Sequence, residues 1–152
     1  MNVTPTEFSC GAVVTGVNLS TPLSGDMVAE LRAHWLEHKV LVFPDQRLDN
    51  DGLVRFTEYF GECGEDPFFG RIEDSEHIAA VQRNADEKTP IFAEIYHSDW
   101  SFLDVPPAGT VLYGITIPPV GGNTLFADQV AAYQGLPDAL RERGSFRAAA
   151  RR

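Results

Sequence analysis

Histidine is scarce in this 152-residue chain, and none of its four histidines (His34, His38, His77 and His97) follows position 97. Any site that needs imidazole must draw on these four. Cysteine is scarcer still. Cys10 and Cys63 stand alone, and without a C-x-x-C pair no zinc knuckle or dithiol redox centre is written here. Two reduced thiols are expected. No apolar run is long enough to span a bilayer, and the start MNVTPTEFSCGAV lacks a basic segment followed by an apolar block. No membrane association and a cytoplasmic location are therefore expected. Positive charge is short as well, with 12 Lys and Arg against 22 Asp and Glu, a net charge of −10. That balance argues against nucleic acid or an anionic membrane surface as a partner. Much of the basic charge gathers at the end. Arg141, Arg143, Arg147, Arg151 and Arg152 fall in the last twelve positions, opposed only by Glu142. This reads as a solvated, frayed terminus.

What is present is enough for one domain with a core of its own. Val13 to Leu19 reads as a short strand between turn residues. Ser24 offers an N-cap, and Val28, Leu31, Trp35 and Leu36 recur at helical spacing over about Asp26 to His38. Val40 to Phe43 is a compact apolar run stopped by Pro44, a buried strand by this reading. Asn50 can cap a second helix whose inner stripe is Leu53, Phe56 and Phe60, with Gly61 closing it. Residues 62 to 76 read as a loop, Ile78 to Gln82 as a strand. From Ile91 to Tyr133, short apolar segments such as Thr110 to Ile117 alternate with the turns PPAG and PPVGG, the pattern of a β-sandwich or barrel. Asp128 can cap a closing helix through Tyr133. Two early helices and later strands predict an α+β protein with helices outside a β core.

His97-Ser98-Asp99 carries the clearest chemistry. On a strand, residues i and i+2 share a face, so an imidazole and a carboxylate would stand side by side. Two histidines and one carboxylate on one face of an ion are the ligand set of non-haem iron(II) oxygenases. By itself H-x-D is weak, and a satisfied histidine beside a surface aspartate is the commoner case. His34 and His38, at i and i+4, have a spacing that can suit a metal, but their helix's apolar stripe marks them as a partly exposed face. His77 reads as a surface residue.

The surroundings of His97 resemble the TauD/TfdA family of Fe(II)/2-oxoglutarate-dependent oxygenases. The matching stretches are His97-Ser-Asp99-Trp-Ser-Phe102, Pro106-Pro-Ala-Gly109, Pro119-Val-Gly-Gly-Asn-Thr-Leu-Phe126 and Ala131-Ala-Tyr133. Gly16-Val-Asn-Leu19, Leu23-Ser24, His38-Lys-Val-Leu-Val-Phe43 and Phe60-Gly61 precede them in the family's order. The resemblance implies a double-stranded β-helix, or jelly roll, with outer helices. It implies a reaction in which iron(II), 2-oxoglutarate and dioxygen hydroxylate a small organic substrate, releasing succinate and carbon dioxide. It places His97 and Asp99 as iron ligands and Thr124 against a 2-oxoglutarate carboxylate, with Trp100 and Phe102 walling the site or packing.

The chain departs from the pattern in three ways. The family's second histidine ligand and its 2-oxoglutarate-binding arginine belong downstream of Thr124, where this chain has no histidine and only the terminal arginines. Residues 1–143 therefore read as a partial dioxygenase domain, incomplete at the C-terminus. Residues 144–152 read as a divergent, disordered basic tail, the mark of a truncation or frameshift. Finally, the taurine-binding positions are not reproduced: the region after Phe60-Gly61 reads GECGEDPFFG, and Ala93 stands where an asparagine belongs. Phe68, Phe69, Phe92 and Tyr96 offer a more apolar pocket instead. The competing readings are a non-catalytic fragment or interaction module whose unpaired edges pair with a partner or a second copy, and a zinc-binding β protein, for which two ligands are too few.

Overall fold

The computed structural model describes residues 1–64, 69–84, 86–88 and 95–149. Its sheet has three strands in the order β1-β2-β3: β1 is Asn2–Pro5, β2 is Ala12–Thr15 and β3 is Leu41–Val42. β1 runs antiparallel to β2, with Asn2 opposite Thr15 and Pro5 opposite Ala12. β3 is parallel to β2, with Ala12 opposite Leu41. A parallel pair needs a crossover, and helix α1 (Gly25–His38) supplies it. Ser24 caps α1 as its sequence position predicts, its hydroxyl accepting from the Met27 amide at 3.3 Å. The helix ends where Lys39 turns to φ 67° and its amide donates to the Trp35 carbonyl.

Helix α2 is Asn50–Glu58. Its cap is Asp49, one residue before the expected Asn50. The Asp49 carboxylate reaches the Gly52 amide at 2.8 Å. A Cβ at Gly52 would sit 2.8 Å from that same carboxylate oxygen, so the tight cap depends on the glycine. The core lies between sheet and helices: Val14, Leu19, Leu31 and Phe56 are buried, with Val3, Leu23, Leu41, Phe43 and Phe60 packed against them. Phe43, Phe56 and Phe60 meet edge to face at 5.3 Å, a favoured aromatic geometry.

Beyond residue 61 the outcome differs from the pattern reading. Ile78 to Gln82 forms no strand. A single antiparallel bridge joins Arg71 to Ala79. Thr110 to Ile117 carries no ladder, and neither do the other segments expected as strands among the described residues. A strand exists only when a neighbour takes its amides and carbonyls, and among the described residues none does so here. Two helices follow, α3 (Gln129–Gln134), capped by Asp128 as expected, and α4 (Asp138–Ala149). α4 carries the backbone helix across position 144, where an irregular tail was expected to begin. No helix among the described residues is long and apolar enough to cross a membrane.

Candidate metal centre

The segment bearing His97 and Asp99 is tied to the N-terminal core at four points. Gly109 lies against Trp35, so closely that a Cβ there would be 2.7 Å from the indole. Val111 packs on the core cluster. The Tyr113 hydroxyl accepts from the Leu48 amide at 3.1 Å and donates to the Gln46 carbonyl at 3.3 Å. Asp128 pairs with Lys39 at 3.4 Å. These ties hold an otherwise irregular chain in register with the sheet.

Within it, His97 and Asp99 come together. Nε2 of His97 is 3.0 Å from Oδ1 of Asp99. The strand that was to pair them is not formed. The chain instead enters a turn at Asp99, with Trp100 at φ 55° and the Leu103 amide donating to the Trp100 carbonyl at 2.9 Å. A left-handed backbone is uncommon for so bulky a residue. It redirects the chain after Asp99, while the pair itself is set by the torsions between residues 97 and 99.

Each member of the pair is oriented by a neighbour that pattern reading missed. Nδ1 of His97 is 2.9 Å from the Ile95 carbonyl. With Nδ1 as the N–H donor there, a neutral ring carries its lone pair on Nε2, toward Asp99, an arrangement that metal-ligating histidines share. The Thr110 hydroxyl donates to Oδ2 of Asp99 at 3.2 Å, leaving Oδ1 to face His97. Thr110 stood in an apolar run and carried no motif signal; only its neighbour Gly109, pinned to Trp35, places it. The Ile95 carbonyl raises the His97 pKa above the ordinary histidine value, partly offset by desolvation and reinforced by Asp99.

Two donors bound at about 2.1 Å and at right angles are about 3.0 Å apart. The observed Nε2–Oδ1 spacing therefore fits two adjacent positions on an octahedral ion. Among the described residues no third histidine, cysteine or carboxylate closes on them. Thr124 is exposed in the irregular stretch before α3, with no hydrogen bond tying it to the pair. Tyr96 is largely exposed, and Phe102 meets Trp100 edge to face at 6.2 Å. Phe68, Phe92 and Ala93 lie outside the described residues.

The family model "Taurine catabolism dioxygenase TauD, TfdA family" matches residues 2–147. An (S)-phenoxypropionate/alpha-ketoglutarate-dioxygenase of Delftia acidovorans is 34% identical, over 93% of this chain and 51% of its own length. An alpha-ketoglutarate-dependent sulfate ester dioxygenase of Pseudomonas putida is 29% identical, over 93% of this chain and 46% of its own. The crystal structure of a taurine dioxygenase from Burkholderia xenovorans superposes with a TM-score of 0.75 at 32% identity, over 93% of this chain and 49% of that one. The chain thus spans about half the length of the relatives it matches. With its motifs in order and its match running nearly end to end, the chain belongs to the TauD/TfdA dioxygenase family.

Proposed function

We propose that this chain is the N-terminal part of an Fe(II)/2-oxoglutarate-dependent dioxygenase that hydroxylates a small organic substrate. The observation that carries this reading is the 3.0 Å approach of His97 Nε2 to Asp99 Oδ1, each oriented from behind. In this reading His97 and Asp99 hold iron(II), and Thr124 receives a carboxylate of 2-oxoglutarate. The bound metal supplies oxygen activation coupled to decarboxylation of 2-oxoglutarate. The protein's part is to offer Nε2 by fixing Nδ1 on the Ile95 carbonyl, and to aim Oδ1 by holding Oδ2 on Thr110. Exposed Tyr96 and Phe102, close to the pair along the chain, are apolar surface that an organic substrate could contact. A jelly-roll core, completed by sequence equivalent to the relatives' second half, would supply the third ligand and pair the unladdered segments.

The test is succinate release from 2-oxoglutarate under air with added iron(II). A form extended downstream is expected to turn over, the 152-residue chain not, and His97→Ala or Asp99→Ala in the extended form to abolish release. An extended form as active with both substitutions as without them ends this reading. One observation favours a second reading, an interaction module: Val105, Ile115 and Val120 are each at least 87% exposed, an apolar surface of the kind that partners cover. A compact, cooperatively melting monomer would count against it.

A further inference from the structure

The last turn of α1 gathers a second set of metal-binding side chains, apart from His97 and Asp99. His34-Trp35-Leu36-Glu37-His38 reads H-x-x-E-H, a helical spacing that puts two imidazoles at i and i+4 on one face, where they can share a zinc ion, and Glu37 lies beside them as a third possible donor. The side chains have that placement. The two imidazoles stack at 5.9 Å with 12° between their planes. Glu37 Oε2 is 3.9 Å from His34 Nδ1 and 3.7 Å from His38 Nε2. One donor atom from each residue lies within 4.8 Å of the other two. A second observation points to a ligand. His34 Nδ1 is buried with no hydrogen-bond partner, a costly state for a ring nitrogen unless something fills it.

We propose that His34, Glu37 and His38 bind a divalent transition-metal ion of the zinc type, independently of the iron site proposed above. Imidazole nitrogen and carboxylate oxygen take zinc at about 2.0–2.2 Å, which sets donor edges of about 3.3 Å in a tetrahedron. Two of the three donor edges are 3.9 and 3.7 Å and the third is within 4.8 Å, so the side chains must close inward by rotation to take the ion. The supporting parts are in place. Glu30 Oε1, 3.9 Å from His34 Nε2, is positioned to take the ring's remaining N–H once Nδ1 binds metal, as outer carboxylates do around zinc histidines. The C-terminal end of a helix favours positive charge. The backbone is rigid there, since the His38 carbonyl accepts from the Gly11 and Val40 amides, each at 2.8 Å. His38 and His34 side chains are only 15% and 28% exposed, so the ion would be sheltered on one side and open to water on the other. Three protein donors leave one position for water or an external ligand.

Zinc(II) alone is titrated into the metal-stripped 152-residue chain against a chromophoric chelator, with histidine proton resonances followed in parallel. One zinc is expected to bind and to shift the His34 and His38 resonances. His97→Ala with Asp99→Ala should retain this binding, whereas Glu37→Gln should weaken it tenfold or more. Glu37 is exposed, so its replacement leaves the fold intact, and far-UV circular dichroism checks that it does. The paired change His34→Gln with His38→Gln should remove the site. Undiminished zinc affinity in Glu37→Gln, or loss of all zinc binding in the His97 and Asp99 variant, overturns the proposal.

Discussion

His97 is held at both ring nitrogens, by the Ile95 carbonyl on one side and the Asp99 carboxylate on the other. Both partners favour the protonated ring, and the pKa is raised in consequence. In the metal-free protein, the NMR midpoint of His97 should therefore lie above the ordinary value of about 6.5. Asp99→Asn should lower it while leaving the Ile95 contact. A midpoint unmoved by Asp99→Asn would mean that the pair is not in contact in solution. The sign for stability follows. A raised value means that the pair's contribution is present below the ordinary histidine pKa and fades as pH rises through the raised one. The H-x-D spacing was legible in the sequence, but the means of pairing was not. A strand was expected, and the chain instead turns at Asp99 and Trp100, because apolar alternation does not report whether a neighbouring strand takes the backbone hydrogen bonds.

Elements place these residues through a few ties. Gly109 meets the Trp35 ring, which is itself backed by Phe60 at 5.4 Å. Gly109→Ala puts a methyl 2.7 Å from the indole, so ring or loop must shift, and overpacking of this kind costs about 1–3 kcal/mol. Urea unfolding should register that loss, and the His97 resonance should move as Thr110 is pushed from Asp99. An unchanged His97 resonance would show that this tie does not set the pair. Asp128 anchors α3: its carboxylate accepts from the Val130 and Ala131 amides at 2.9 and 3.1 Å and pairs with Lys39. The Ala131 bond foremost, then Lys39, lowers its pKa below the ordinary value of 3.8. A depressed carboxylate contributes above its unfolded pKa and loses that contribution as pH falls through the folded value. The Val130 and Ala131 amide shifts should therefore titrate together with a midpoint below 3.8; a midpoint at or above it contradicts the cap. The caps at Ser24 and Asp128 were readable because capping is local chemistry. The cap of α2 was misplaced by one residue because Asp49 and Asn50 are both competent, and the close approach at Gly52 decides between them.

At the scale of the whole molecule, the core formed by the described residues is small and lies almost wholly in the first sixty. Leu31, 1% exposed in that core, should cost about 2–5 kcal/mol on truncation to alanine, a large share of a typical domain's 5–15 kcal/mol. Leu36 on the same helix is 77% exposed, and its replacement should fall within about 0.5 kcal/mol. Equal effects in urea unfolding would show that α1 does not pack as described. The sequence by itself determined the family, through motifs in fixed order, and the two N-terminal helices, whose periodicity and caps are local; strand β1 and the pairing of the sheet had no such signal. It also determined that His97 and Asp99 lack a downstream histidine. Only the tertiary structure decided that, among the described residues after 70, the apolar segments form no ladder beyond the Arg71–Ala79 bridge, since a strand is a property of a pair and not of one segment's pattern. It also decided which atoms aim the pair. Ile95 and Thr110 act through a carbonyl and a hydroxyl set at hydrogen-bond distance by contacts far along the chain, and such distances have no signature in spacing or composition.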